Sequence, residues 1–288
     1  MPVKKISVFS LALGKDNHQL PYLSLGMVSA YVKVYDDGAL NEFYNFEPII
    51  PGGHEPGSLD DAKRALAEAT PPIVLLSSYV WNHGLNIRTA KVIRQQKPRA
   101  VIVIGGPHVP KYEGETEEFL RENPFIDIAV LGEGEATMAE ILTVLAGHNW
   151  PRDALGDLSG VPGIVYAAKR GDETDYVRTE SRSRLKDIGV LPSPYLTGEF
   201  EPWFREFPAA ILETNRGCPY GCTYCDWGSA TLAKVTKFSA ERVIAEIEHI
   251  AQHDSDAIFI ADANFGMLEQ DIEVAHALVA AHKKYGYP

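Results

Sequence analysis

The chain has only three cysteines, and all of them fall within one short segment: Cys218, Cys222 and Cys225. An odd, clustered set is a poor basis for disulfide bonds, whereas thiolates are soft ligands that suit zinc or an iron–sulfur cluster. The spacing Cys-x3-Cys-x2-Cys therefore predicts a metal centre, and we expect it in the reducing environment of the cytoplasm.

The number of cysteines separates the two metal classes. A structural zinc normally takes four protein ligands, so a fourth residue would have to join the cysteines. His249 and His253 are the nearest histidines, but they lie well downstream on one face of a predicted helix, and we do not expect either to complete the site. Three thiolates leave one iron of a cubane cluster open, which suits catalysis. A nonenzymatic zinc site remains the alternative.

The surroundings of the cysteines carry a family resemblance. A predicted strand over 209–214 precedes them, the aromatic Tyr224 stands directly before Cys225, and a predicted helix over 239–252 follows. This arrangement resembles the cysteine motif of the radical S-adenosylmethionine superfamily. The resemblance implies that the three cysteines hold a [4Fe–4S] cluster whose open iron binds S-adenosylmethionine. One electron from the cluster then cleaves that cofactor to a 5′-deoxyadenosyl radical.

A second strand, predicted over 256–261, ends in Asp262 and Asn264. Members of that superfamily often carry a Gly-Gly-Glu-like turn here, which contacts the methionine amine. The resemblance implies that Asp262 or Asn264 accepts this hydrogen bond, although either residue could instead cap the turn. Tyr224 is placed by the same resemblance at the cofactor, and Trp227 is a candidate wall for the adenine or the substrate.

The N-terminal half alternates between two patterns. Apolar, β-branched runs at 6–12, 42–49, 73–79, 100–104 and 127–131 predict strands, and segments with helical spacing at 23–35, 59–69, 85–96, 115–122 and 135–145 predict helices. Such alternation indicates a parallel sheet with helices on both faces. We therefore predict a Rossmann- or flavodoxin-like α/β domain over residues 1–147.

Ligands of such sheets bind beyond the carboxyl ends of the strands. Small and polar residues stand at those ends here, and the candidate ligand-binding residues are Ser77, Ser78, Gly105, Gly106, Pro107, Gly132 and Glu133. The three-glycine dinucleotide fingerprint and the Gly-Lys-Ser/Thr phosphate loop are both missing, so the ligand is expected to be neither NAD nor ATP.

Four segments in order resemble the cobalamin-binding subgroup of the radical superfamily: 20–26 (LPYLSLG), 105–109 (GGPHV), 132–135 (GEGE) and 191–196 (LPSPYL). The resemblance implies that the N-terminal domain binds cobalamin. Asp16-Asn17-His18 nearly matches the cobalt-ligating motif of another cobalamin domain, but Pro21 stands in place of its glycine, so we do not expect His18 to bind cobalt.

The remaining sequence completes the predicted layout. Residues 148–207 are rich in glycine and proline and predict a linker with a small β element, a hairpin over 163–179. Residues 208–288 predict the start of a (β/α) partial TIM barrel, namely the N-terminal part of the radical core. Two βα units fit there, whereas the family's barrel usually has six, so we expect the chain to be a fragment of a longer enzyme.

Composition limits the partners. The net charge of −12 argues against nonspecific binding to nucleic acid or to an anionic membrane. No apolar run approaches the ~18 residues of a spanning helix. Lys4-Lys5 and the apolar stretch after them imitate an export signal, but that stretch fits the first strand of the sheet.

The prediction from these observations is a cobalamin-dependent radical S-adenosylmethionine enzyme. The commonest chemistry that the resemblance implies is methyl transfer to an unactivated carbon of a small-molecule or peptide substrate, with flavodoxin or ferredoxin as the electron donor. No catalytic residue beyond the cofactor ligands is identified. Two alternatives stay open: a radical enzyme of other chemistry whose N-terminal domain binds no cobalamin, and a nonenzymatic metal- or cobalamin-binding fragment.

Overall fold

The computed structural model describes residues 5–13, 21–52, 72–170, 173–202, 204, 209–225 and 235–288. The chain divides into two compact units. The sheet unit comprises Met1–His18 and Ser24–Arg184, and the cysteine unit comprises Gln19–Leu23 and Leu185–Pro288. The helix predicted over 59–69, the His18 motif and Trp227 lie outside the described residues.

Eight strands form one sheet in the sheet unit, in the order β2-β1-β4-β5-β6-β7-β8, with β3 also paired to β1. The strands are β1 (Ile6–Leu13), β2 (Tyr44–Phe46), β3 (Ile50–Gly52), β4 (Ile73–Ser77), β5 (Val101–Gly105), β6 (Ile128–Val130), β7 (Ile164–Arg170) and β8 (Glu173–Arg178). The first six strands are parallel to one another. If β2 and β3 are taken as one interrupted strand, the parallel part has the flavodoxin order. The predicted fold class is confirmed.

The helices of the sheet unit are α1 (Leu23–Gly38), α2 (His83–Gln96), α3 (Glu115–Glu122) and α4 (Glu135–Leu145). The last two have the bounds that hydrophobic spacing predicts. Regular helical geometry in α1 stops at Tyr35, and both Asp36 and Asp37 have positive φ. Residues 73–76 of β4 and 101–104 of β5 are all apolar and buried, because helices cover both faces of a parallel sheet.

The predicted hairpin is present, but it is not part of a separate linker. Strands β7 and β8 pair with each other in antiparallel fashion, and β7 pairs with β6, so the hairpin extends the main sheet. The prediction of a linker that begins at residue 148 is therefore wrong for β7 and β8, which belong to the main sheet. The sheet unit continues to Arg184.

A buried carboxylate anchors the centre of this sheet. Asp127 is 1% exposed, lies 2.5 Å from Arg94 and 2.9 Å from Arg152, and accepts a hydrogen bond from the Ile102 backbone. Two guanidinium groups and a backbone donor offset the cost of burying its charge.

The cysteine unit contains two short parallel strands, each followed by a helix. The strands β9 (Ala209–Leu212) and β12 (Ala257–Ile260) pair in parallel, and β10 (Asn215–Arg216) pairs antiparallel with β11 (Thr236–Lys237). The helices α5 (Ala240–Gln252) and α6 (Gln270–Tyr285) pack on each other. Ser239 caps α5 by accepting a hydrogen bond from the Arg242 backbone, as its position predicts.

Tyr195 positions β9 within this unit. Its buried hydroxyl donates to the carbonyl of Ile211 at 2.6 Å and accepts from the amide of the same residue at 3.0 Å. Burial raises the pKa of the Tyr195 hydroxyl far above its ordinary value, so this hydroxyl stays protonated as a donor. The 191–196 segment therefore holds the strand that leads into the cysteines.

Candidate cofactor sites

The three cysteines lie in a loop beyond the carboxyl end of β9, the edge at which α/β barrels place their active sites. All three are free thiols; Cys222 is exposed, and Cys218 and Cys225 are half-buried. The loop is tight, because the backbone amide of Cys225 donates to the carbonyl of Cys222 at 3.1 Å. Gly217 enters it with φ +108°, a conformation that a side chain would strain.

The number of thiols favours a cluster over a single zinc ion, because a structural zinc normally takes four protein ligands. In a cubane cluster each thiolate binds a different iron, so the three free cysteines of the loop would leave one iron open.

A hydrogen bond connects this loop to the second strand of the unit. The side-chain amide of Asn264, in the turn after β12, donates to the sulfur of Cys218 at 3.1 Å. Donors to the sulfur ligands are among the features that set the potential of an iron–sulfur cluster. Asn264 is thus brought to the predicted site, although its partner is a cysteine.

Asp262 has a different environment from the one that its position suggests. Its two carboxylate oxygens accept four hydrogen bonds, from the backbone and side chain of Thr214 and from the backbone and side chain of Asn215. These donors occupy all the lone pairs of a carboxylate. Asp262 therefore joins the ends of β9 and β12, and its role as acceptor for the methionine amine stays a prediction. Burial raises its pKa, and the hydrogen bonds from Thr214 and Asn215 oppose that effect.

Tyr224 is the most open of the predicted contacts. Its side chain is 91% exposed beside Cys225, so its ring is accessible to a bound molecule. Tyr220, in the same loop, is 57% exposed, and sequence reasoning did not select it.

The ligand edge of the sheet unit is built on a close backbone contact. The Ser78 amide donates to the carbonyl of Gly105 at 2.7 Å, and the His108 amide donates to the carbonyl of Ser78 at 3.1 Å. Gly106 has φ +99°, and a Cβ added there would lie 2.6 Å from the Ser78 oxygen. Glycine is therefore required at this position by both conformation and space.

The two predicted serines do not present their side chains at the surface. Ser77 and Ser78 are both buried; the Ser77 hydroxyl lies 2.8 Å from that of Ser24, and the Ser78 hydroxyl lies 2.9 Å from Nδ1 of His83. Burial, together with nearby His108, lowers the pKa of His83. The hydroxyls of Ser77 and Ser78 are therefore turned into the protein, and these residues contribute their backbone to the ligand edge.

Backbone and small residues form the accessible part of this edge. Pro107 and Gly132 are exposed, and Gly105 and Gly106 are half-buried. Gly132 has φ +78° and open space beside its Cα. Glu133 is half-buried and pairs with Arg184 at 3.4 Å.

Two exposed apolar side chains at this edge were missed by sequence reasoning. Val80 is 73% exposed and Trp81 is 56% exposed, directly after β4. Trp81 stacks on Tyr79 with ring centroids 4.7 Å apart and planes 13° from parallel. Apolar residues between a strand and a helix at the ligand edge were the available sequence signal. Large exposed apolar side chains in such a position mark a binding surface.

The helices were compared with the length and hydrophobicity that a membrane span requires. In the part of the chain that the structure describes, no helix is both long and apolar enough to cross a bilayer.

Comparison with known proteins supports both cofactor sites. The family model described as the B12 binding domain matches residues 38–142, which confirms the prediction of a cobalamin-binding domain. The chain is 36% identical over 284 residues to the cobalamin-dependent radical SAM methyltransferase TokK of Streptomyces tokunonensis. That alignment covers 94% of this chain and 38% of TokK. It is also 36% identical over 263 residues to the 2-(S-pantetheinyl)-carbapenam-3-carboxylate methyltransferase of Streptantibioticus cattleyicolor, with 87% of this chain and 37% of the relative covered.

A solved structure shows the same fold. The radical S-adenosylmethionine methyltransferase TsrM of Kitasatospora setae, with cobalamin and a [4Fe–4S] cluster bound, matches with a TM-score of 0.65 and 17% identity, over 98% of this chain and 53% of TsrM. The predicted resemblance to cobalamin-binding radical enzymes is confirmed by the B12 binding domain model and the two methyltransferase relatives. The chain spans less than two-fifths of the length of the two methyltransferase relatives.

Proposed function

We propose that this chain supplies the cobalamin domain and the cluster loop of a cobalamin-dependent radical S-adenosylmethionine methyltransferase. The observation that carries the proposal is the loop of three free thiols beyond β9, with Asn264 donating to Cys218, on a chain that also has a B12 binding domain. The relatives that it matches over most of its own length are named methyltransferases. The reaction proposed is methyl transfer to an unactivated carbon of a small-molecule or peptide substrate.

The residues of the cysteine unit have distinct parts in this proposal. Cys218, Cys222 and Cys225 hold the cluster as thiolates, and Asn264 donates to one of those sulfurs. Asp262 fixes the ends of both strands, so the cysteine loop and the Asn264 turn keep one geometry. Tyr224 offers an exposed ring to the bound S-adenosylmethionine. When bound, the cluster and S-adenosylmethionine supply an electron and a radical, and cobalamin carries the methyl group.

The ligand edge of the sheet unit would hold cobalamin. Pro107, Gly132 and the backbone at Gly105 and Gly106 leave room for a large flat ligand, and Trp81 with Val80 offers an apolar surface to it. Ser77 and Ser78 act through the backbone, since their hydroxyls are bonded inside the protein. A flavodoxin or ferredoxin is the electron donor that a reducing cytoplasm would provide.

An anaerobic optical spectrum tests the cofactor assignments behind this function. The chain is reconstituted with iron, sulfide and hydroxocobalamin and then desalted, beside a variant with all three cysteines changed to serine. The proposal predicts cobalamin bands and a broad cluster absorbance in the parent chain, and cobalamin bands alone in the variant. Cluster absorbance without cobalamin would favour the radical enzyme with a cobalamin-free domain, and retention of neither cofactor would contradict the proposal.

A further inference from the structure

A second set of metal-ligating side chains lies in the cysteine unit, separate in sequence from the cysteine loop. His249 lies in the last turn of α5, His253 is the residue directly after that helix, and Glu201 comes from the turn that follows Gly198. One carboxylate oxygen of Glu201 lies 3.2 Å from Nε2 of His249, and the other lies 3.3 Å from Nε2 of His253. Their ligand atoms all lie within 4.8 Å of one another.

The orientation of His253 identifies which of its nitrogens is free. Its Nδ1 lies 2.8 Å from the backbone carbonyl of His249, which can only accept, so Nδ1 carries the hydrogen. In the neutral ring, Nε2 then has a lone pair, and that lone pair faces a carboxylate oxygen. Two acceptors at this distance repel each other unless a cation or an extra proton lies between them.

Phe204 packs against both histidine rings. Phe204 stacks on His253 with ring centroids 4.4 Å apart and meets His249 edge-on at 5.7 Å. Nε2 of His249 is buried without a hydrogen-bond partner of good geometry. A neutral imidazole with a lone pair directed at a carboxylate is the form in which histidine binds metals.

We propose that Glu201, His249 and His253 bind one zinc ion. Ligand atoms around a tetrahedral zinc with nitrogen and oxygen ligands stand about 3.3 Å apart. Each histidine Nε2 lies close to this distance from one of the two carboxylate oxygens of Glu201. Two histidines four positions apart on one helix are a recurrent zinc-binding pair, and the hydrogen bond from Nδ1 to a carbonyl is the usual support for a ligating histidine.

Three protein ligands leave the fourth position of the ion for water or for another ligand. The site lies at the C-terminal end of α5, where backbone carbonyls favour a cation. Glu201 is half-exposed, so an ion can reach the site from solvent. The bound ion would tie the turn that carries Glu201 to the end of α5.

Calorimetric titration with zinc chloride tests this site. The background is the chain with Cys218, Cys222 and Cys225 changed to serine, so that thiolates cannot compete. We expect one zinc per chain, and we expect Glu201→Gln and His253→Ala each to weaken binding by at least tenfold. His276→Ala is the matched control, because His276 is an exposed histidine on α6. It should leave zinc binding unchanged.

The choice of variants separates a loss of zinc binding from a loss of the fold. Glu201→Gln keeps the size of a half-exposed side chain, so a loss of binding there is not a loss of the fold, and circular dichroism verifies this. Cobalt substitution in the same background gives a second readout, and the visible bands of bound cobalt should be lost in Glu201→Gln and kept in His276→Ala. The proposal is overturned if the background chain takes up no zinc, if Glu201→Gln binds as tightly as its parent, or if His276→Ala loses as much.

Discussion

The side-chain amide of Asn264 lies 3.1 Å from the sulfur of Cys218, and this contact joins the turn after β12 to the loop after β9. A donor to a ligating thiolate stabilises the more negatively charged, reduced state of a cluster. Asn264 therefore has a testable effect on the electron that the cluster would deliver.

Replacing Asn264 with alanine should lower the reduction potential of the reconstituted cluster. If the lost hydrogen bond to the charged cluster is worth about 1.4 kcal/mol, the reduction potential falls by about 60 mV for a one-electron couple. An anaerobic redox titration followed optically measures the shift. Asn41→Ala, an exposed asparagine in the sheet unit, is the control. Equal potentials for the parent and Asn264→Ala would exclude this role.

Asp262 should matter for stability more than for any cofactor. Changing it to alanine leaves the buried donors of Thr214 and Asn215 without their acceptor. Unsatisfied buried donors cost about 1–3 kcal/mol each, and we expect a loss of about 3 kcal/mol in the free energy of unfolding. Urea denaturation measures it. Asp256→Ala, at an exposed position before β12, should change stability little. Unchanged stability in Asp262→Ala would show that the four hydrogen bonds do not form.

Gly106→Ala should both destabilise the sheet unit and weaken cobalamin retention. Its added Cβ would meet the Ser78 backbone at 2.6 Å in a residue with φ +99°. Gly114→Ala is the matched control, because Gly114 has φ +82° but no atom within 4 Å of an added Cβ. A strained φ costs about 1 kcal/mol in both variants, so the difference between them reports the close contact. Thermal unfolding and cobalamin content after desalting are measured, and equal results for both variants would contradict the close approach.

Trp81→Ala should reduce the cobalamin that the reconstituted chain retains and leave its unfolding temperature nearly unchanged. The reason is that Trp81 is 56% exposed at the ligand edge, where it stacks against Tyr79. Trp150→Ala removes another exposed tryptophan, one that contacts Arg99, and should retain cobalamin fully. If both variants retain as much cobalamin as the parent, Trp81 does not contact it.

The pH dependence of stability should carry a contribution from His83. Burial and His108 lower its pKa in the folded state below the value of 6.5 in the unfolded chain, so the unfolded state binds the proton more tightly. Its contribution is therefore fully present above pH 6.5 and is lost as the pH falls below it. His83→Gln should flatten the fall in urea stability as the pH drops below 6.5, and His148→Gln, at an exposed position, should not. A steeper loss of stability on acidification in His83→Gln than in the parent would contradict a lowered pKa of His83.

Local patterns in the sequence were sufficient to predict individual helices and the hairpin, but not which strands pair with each other. Hydrophobic spacing gives the bounds of α3 and α4, because each helix buries one continuous stripe. The hairpin β7-β8 was found from its turn, yet its pairing with β6 depends on the edge that the sheet leaves open. Strand pairing of this kind is set by tertiary packing.

The candidate sites divide in the same way. The cysteine spacing is a local signal, and it was sufficient to predict the cluster loop. The partners of Asp262 could not be predicted, since Thr214 and Asn215 reach it only when β9 and β12 pair. The spacing of His249 and His253 was visible in the sequence, but their third partner, Glu201, comes from a distant turn.

Electron paramagnetic resonance of the reduced, reconstituted chain tests the central claim most directly, namely that the three thiolates hold a cluster with one open iron. The spectrum is recorded anaerobically before and after addition of S-adenosylmethionine. The account predicts a [4Fe–4S] signal that shifts when the cofactor binds the open iron, and no signal when Cys222 is serine. A signal that S-adenosylmethionine leaves unchanged, or one that persists without Cys222, would contradict it.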